Sequence, residues 1–243
     1  MNEGLLRFAR YAFPPNRLGY CGTQDNAALL GYLTENRADG GLLDLATKFE
    51  GAYPYLRLIA ATNGLKDPFD DRVVEAYWIG NDLLEKVGAS PLYQSLRERF
   101  KPRMDSSAFQ WMTAGLSDGT TPHHNFHVFE VYRRAGLMRE DRAAVALDRM
   151  DQCRISWGRV TVVEGAEVVV ERSPLELRDG KLGLGPRVPV RLARRVETAQ
   201  DELQPGQIVS VHWNWVCDVL DPRALYRLRQ ETSKVIRHTN ATL

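Results

Sequence analysis

No charge of one sign dominates this sequence. Its 32 basic and 31 acidic residues leave a formal net charge of +1, too weak a field to draw the chain to nucleic acid or to a membrane surface. Basic runs such as Arg191–Arg195 ("RLARR") are short, flanked by acids, and read as a solvated face. Nothing approaches the roughly 18 consecutive apolar residues of a membrane-spanning helix. The opening "MNEGLLRFAR" lacks the basic-then-apolar layout of a secretion signal. Cysteine is scarce: three residues, odd in number and widely spaced, which argues against a disulfide framework. These absences predict a reduced, cytoplasmic protein with neither a nucleic-acid nor a membrane partner. Also missing are a phosphate-cradling glycine loop and a Gly-x-Ser-x-Gly nucleophile elbow. "GKLGLG" is followed by strand rather than helix and reads as a turn.

What is present is an ordinary globular composition, 44% hydrophobic and 26% charged, in a chain of 243 residues that allows one domain or two. Residues 1–151 read as helices separated by Gly and Pro. "NAALLGYLTE" follows the cap candidates Thr23 and Asp25, and "YPYLRLIAATNG" stops at Asn63-Gly64, residues that tolerate the left-handed conformation. Apolar spacing predicts a helix over Asp71–Gly88. "SPLYQSLRERF" offers Ser90 as cap with Pro91 at the first position, and "TPHHNFHVFEVYRRAG" repeats that grammar from Thr121 and Pro122. A last helix is expected over about Arg139–Met150.

At "MDQCRISWGRVTVVEGAEVVVE" the period changes to two. Turns are expected at Glu164-Gly165 and Asp179-Gly180, with further strands in "PVRLARRV" and "QIVSVHWNWVC". Asp221 and Pro222 then open a final helix. The expected fold class is α+β: an all-helical domain over residues 1–151, then a small OB-like β-barrel with a C-terminal helix over residues 152–243.

The stretch from Cys153 resembles the small hydrogenase-assembly chaperones of the HypC/HupF type. Those begin with Cys, three residues, Pro-Gly, one residue and an aliphatic. Here Cys153 is followed by "RIS", Trp157, Gly158, Arg159 and Val160, then the aliphatic hairpin "VTVVEGAEVVVE". The family's later Gly-Asp-x-Val-x-Val-His run is matched by Gly206, Val209, Val211 and His212. Trp157 stands in place of the Pro, Gln207 in place of the Asp, and Cys153 is internal, so it offers a thiolate but no free amine. The resemblance implies that Cys153 and His212 hold a transient iron, the Fe(CN)2CO unit. It further implies that the carrier passes this unit from a maturation scaffold protein to the large-subunit precursor of a nickel–iron hydrogenase. The chemistry is coherent: thiolate and imidazole suit low-spin iron, and a two-ligand site stays transferable where a closed four-ligand cage does not. The full pattern, with "PHHNFHVF" and "HWNWVC", also resembles a bacterial family associated with hydrogenase gene clusters. Without a ligand, Cys153 is a small buried hydrophobe at a strand start and His212 a satisfied strand histidine.

A second candidate is "PHHNFHVFE". In a helix running from Pro122, His123 and His127 lie one turn apart and Glu130 continues their row. Such a set can hold a second metal and would make the helical part a metal-dependent enzyme, with the barrel as recruiting module. The position that carries the glutamate base of a zinc protease is His124. The alternative is that these histidines cap the helix or pack on Phe126 and Phe129. Cys21, just before a helix, is either a reactive thiol or inert packing, and Cys217 reads as structural. "FEGAYPYLRLIAA" and "VVEAYWIG" read as helix-packing faces rather than cofactor boxes.

Overall fold

The computed structural model describes residues 3–117, 119–131, 143–194 and 203–243. Helices come first: α1 (Glu3–Arg17), α2 (Asn26–Thr34), α3 (Gly40–Thr47), α4 (Tyr53–Thr62), α5 (Asp71–Trp78), a 3-10 turn (Asp82–Lys86), α6 (Ala89–Phe100), a second 3-10 turn (Lys101–Arg103) and α7 (Ser106–Thr113). A three-residue α8 (His124–Phe126) continues into a wider π-helical winding over residues 127–131, and α9 (Ala143–Cys153) closes the series. Strands β1 (Ser156–Glu164), β2 (Glu167–Arg172), β3 (Leu175–Arg178), β4 (Lys181–Leu184), β5 (Val188–Ala193), β6 (Ile208–His212) and β7 (Trp215–Val219) follow, then α10 (Pro222–Asn240).

Several expected boundaries shift, each for a local reason. Asp71–Gly88 is two elements, because Gly80 takes φ +100 and Asn81 restarts the chain by accepting from Leu83 N. α6 begins at Ala89 behind Gly88, so Ser90 and Pro91 sit inside its first turn. The helix expected from Thr121 starts at His124, with His123 as its cap. "QIVSVHWNWVC" is a hairpin, not one strand: Trp213 and Asn214 have φ of +49 and +58, the left-handed pair of a two-residue turn. The turns at Gly165 and at Asp179-Gly180 and the Asp221 cap of α10 lie where the sequence puts them. Residues 139–142 and 195–196 of the expected helix and strand lie outside the described residues.

α1 packs on α5, α2 and α3. Phe8, Ala9, Tyr11 and Ala12 are buried in one core with Val73, Val74, Tyr77 and Trp78 of α5, a core that extends to Tyr55, Leu56 and Ile59 of α4. Each such aromatic or branched side chain contributes about 1.5–3 kcal/mol by leaving water. The same core takes in Ile155, Trp215, Cys217, Leu220 and Leu228, so it runs across the helix-to-strand transition.

Among the strands, β1 pairs with β2 and β6, β2 with β5, and β6 with β7, while β5 meets β7 through the single parallel pair Ala193–Trp215. Val160, Val168, Val170, Leu192, Val209, Val211 and Val216 fill the space this circuit encloses. Gly158 is fixed by close approach, since a Cβ there would lie 2.6 Å from the Glu171 carbonyl. β3 and β4 form a separate hairpin packed against Met150, Phe129 and Val235. No helix among the described residues is long and apolar enough to cross a membrane.

Candidate metal centre

The junction between α9 and β1 is held by buried charge. Asp151 pairs with Arg154 and with Arg172 at 2.9 Å each and accepts from Leu175 N at 2.8 Å. Removing one member of such a network strands a buried charge, at a cost of about 3–5 kcal/mol. Asn125 crosses the same junction: its Oδ1 accepts from Ile155 N and its Nδ2 donates to Thr232 Oγ1. The Trp213 amide donates to Gln152 O at 2.9 Å. Three separate elements therefore fix the backbone on either side of Cys153.

Into this junction project His124, Cys153 and His212, whose potential ligand atoms all lie within 4.8 Å of one another. Cys153 Sγ is 3.9 Å from His124 Nε2, a separation compatible with one ion bonded at about 2.3 Å to sulfur and 2.0 Å to nitrogen. The imidazoles meet edge to face, with centroids 5.1 Å apart. The trio lines a cavity of ≈100 Å³ walled by Ala12, Pro15, Tyr20, Phe49, Trp78 and Trp213. That volume holds several water-sized groups beside an ion. A soft thiolate with two imidazoles could hold iron, zinc or copper.

Hydrogen bonds set the two imidazoles differently. His212 Nδ1 lies 2.7 Å from the Tyr11 carbonyl and must donate to it, so Nε2 carries the lone pair. That Nε2 is buried and makes no hydrogen bond among the described residues. A buried polar atom without a partner is expensive, and a metal ion would satisfy it. His124 Nε2 donates to the Cys153 carbonyl at 2.9 Å, and Nδ1 accepts from the Tyr77 hydroxyl at 3.0 Å. Tyr77 has a second outlet, Gly51 O at 3.3 Å. When the Tyr77 proton turns to Gly51, its oxygen can accept from Nδ1–H, which leaves Nε2 bare for an ion. The carbonyl and phenol behind the rings are the orienting partners that metal-binding histidines require.

Burial holds all three groups uncharged without an ion. The His212 imidazole is lowered to about 4 by desolvation. His124 is driven well below its ordinary value by burial and then by the other histidines. Burial pushes the Cys153 thiol up to about 12, with the Trp213 side chain pulling the other way. Neutral imidazole is the ligand form already, whereas the thiol must give up a proton as the ion binds.

Of the residues singled out from sequence, Cys153 and His212 come together here. His123, His127 and Glu130 do not join them as a metal set, nor do they form one of their own among the described residues. His123 Nδ1 accepts from Asn125 N at 3.0 Å, and the residue lines a different cavity of ≈330 Å³ against α10. His127 Nδ1 meets the Tyr55 hydroxyl at 3.1 Å, and Glu130 accepts from Thr239 Oγ1 at 2.6 Å. The i, i+4 row fails because the helix begins after His123 and widens from His127, so the assumed α periodicity never holds. The residue passed over was His124, and its only sequence signal was the crowding of histidines. Cys217 is buried against the Arg10 and Trp215 carbonyls. No curated protein and no solved structure matches the chain. A family model does match, over residues 1–243, and the chain belongs to that group, described as a family of unknown function (DUF6390).

Proposed function

We propose that this chain is a maturation factor for nickel–iron hydrogenases that carries the Fe(CN)2CO precursor as a transient cargo on Cys153, His212 and His124. The observation that carries the reading is the convergence of the cysteine and histidine of the HypC/HupF-like pattern, widely separated in sequence, on one small apolar cavity. His124 adds to that pattern. An internal cysteine has no free amine, and His124 supplies a nitrogen donor beside the sulfur. Three protein ligands leave coordination positions for diatomic groups, and the aromatic walls exclude the water that would compete for them. In this reading the strand circuit is an OB-like barrel, residues 152–243 dock on the large-subunit precursor and the maturation scaffold, and the protein works in the cytoplasm.

The test is infrared spectroscopy of the protein purified anaerobically after co-expression with hydrogenase-assembly proteins. Cyanide and carbonyl stretching bands are expected, and they should vanish in Cys153→Ala. A spectrum without such bands in the unmodified protein would sink the cargo assignment.

A further inference from the structure

The trio poses a problem for any carrier. His212 is 1% exposed and His124 is 6% exposed, so no partner donor can reach the ion by approaching either imidazole. An ion leaves a buried site by exchanging one ligand at a time, and the exchange needs a donor that faces both the cavity and the outside. Of the two soft donors lining this cavity, Cys153 is half-buried and Cys21 exposed, and desolvation raises both thiols to about 12, so the ion must displace the proton from either. Tyr20 is also exposed there, but a phenol is a harder donor than a thiolate. His127 is engaged with Tyr55.

The position of Cys21 is built. Asn16, 2% exposed, donates from Nδ2 to the carbonyls of Cys21 at 2.9 Å and Thr23 at 2.6 Å. The amides of Gly19 and Tyr20 close back onto the end of α1 through Asn16 O and Pro15 O. Gly22 takes φ +84, and a side chain there would run into Phe49. Tyr20 stacks on Trp213 with centroids 4.2 Å apart and planes 19° apart, which ties the loop to the turn that follows His212. The independent sign that a ligand belongs in the cavity is the buried, partnerless His212 Nε2.

We propose that Cys21 is the exchange ligand of this centre, the thiolate that takes the ion from the buried histidines and half-buried Cys153 and presents it at the mouth of the cavity. The inference rests on the trio holding an ion. The step is a ligand substitution without redox change. A bond forms between Cys21 Sγ and the ion as the thiol proton passes to water, and one imidazole–ion bond breaks, that imidazole leaving neutral with its lone pair. The partner's donors then replace the remaining imidazole, Cys153 and finally Cys21 in turn, the imidazole leaving neutral with its lone pair and each sulfur regaining a proton from water.

Cobalt(II) is a suitable probe, because thiolate-to-cobalt absorption reports the site directly. Wild type, Cys21→Ala and Cys21→Ser would be loaded with cobalt(II), titrated for affinity, and mixed rapidly with excess EDTA. Both Cys21 variants should keep wild-type affinity within about threefold and release the ion at least ~10 times more slowly, the scale on which groups around a metal alter its binding. Equal release rates, or faster release, would overturn the exchange role. A tenfold loss of affinity would overturn it too, by making Cys21 a resident ligand. If the unmodified protein fails to bind cobalt(II), the trio and the exchange ligand fall together. Intact cobalt exchange without infrared bands would remove the iron cargo alone.

Discussion

Residues 121–131 and residues 208–219 both carry histidine, and they use it in opposite ways. In the first stretch three neighbouring histidines go to three places: His123 caps a helix, His124 enters the metal cavity and His127 meets Tyr55. In the second, one histidine is aimed by strand geometry, with its Nδ1 tied to Tyr11 O and its Nε2 left bare. Crowding in sequence thus says little about convergence in space, because a short α turn passing into π winding changes the facing of every residue after it. A strand pinned on both sides keeps its side chains where alternation puts them.

Acid should affect both stretches alike and so provides the first and largest test. His123 and His212 are each lowered to about 4 and His127 to about 3, with burial the leading cause in all three. Unfolded, each would titrate near 6.5. The unfolded chain therefore binds more protons across that window. The resulting stability is fully present above about pH 6.5 and is lost as pH falls towards 4. A lowering from 6.5 to about 4 is worth roughly 3 kcal/mol per imidazole, so the set together rivals a domain's net stability of about 5–15 kcal/mol. Urea midpoints measured from pH 7.5 to 4.5 should fall continuously. A flat profile would mean that these rings are solvated.

The parts of the molecule that were legible share one property: local rules decide them. Asn63-Gly64 stops α4, Asp221-Pro222 starts α10, and Gly165 and Asp179-Gly180 turn hairpins, since backbone conformation is set by the residue itself. Cys153 and His212 were singled out by the HypC/HupF resemblance rather than by periodicity, and in the structure Cys153 closes α9, not a strand start, while His212 closes β6. What remained hidden depends on distant partners. Tyr11 and Tyr77 read as packing aromatics, and both are, yet the Tyr11 carbonyl and the Tyr77 hydroxyl also orient the two imidazoles. Trp213-Asn214 was hidden inside an apolar run because Asn214, a usual turn residue, is flanked by two tryptophans, and a tryptophan at positive φ is costly. The turn places Trp213 beside Cys153 in the cavity wall, which is where residues in sparsely populated conformations tend to be kept.

Metal separates what acid does not. Cys153→Ala removes the anionic donor and should lower cobalt(II) affinity on the order of 100-fold or more, beyond the 10–100-fold typical of losing an orienting partner. His123→Ala and His127→Gln should leave affinity within about threefold while lowering the urea midpoint, since their rings serve a cap and a Tyr55 contact rather than the ion. Calorimetric titration of the three variants would check the contrast. A His127 variant as defective as Cys153→Ala would restore the histidine row as a ligand set.

The smallest expected effect is the sharpest on mechanism. His212 is set for binding by a backbone carbonyl that no substitution removes, whereas His124 depends on the Tyr77 hydroxyl accepting from Nδ1 once the ion takes Nε2. In Tyr77→Phe that acceptor is gone. The Nε2–H tautomer, bonded to the Cys153 carbonyl, becomes the only one with a partner, and binding through Nε2 would leave a buried N–H unsatisfied. Cobalt(II) affinity should fall about 10–100-fold, with a visible spectrum matching that of His124→Ala. Tyr11→Phe is the control: it removes the hydroxyl that meets Ser210 but keeps the carbonyl that His212 uses, so stability drops and the cobalt spectrum stays. If Tyr77→Phe instead behaves like Tyr11→Phe, His124 ligates without the tautomer exchange, and its contact with the Cys153 carbonyl must break by movement of the ring.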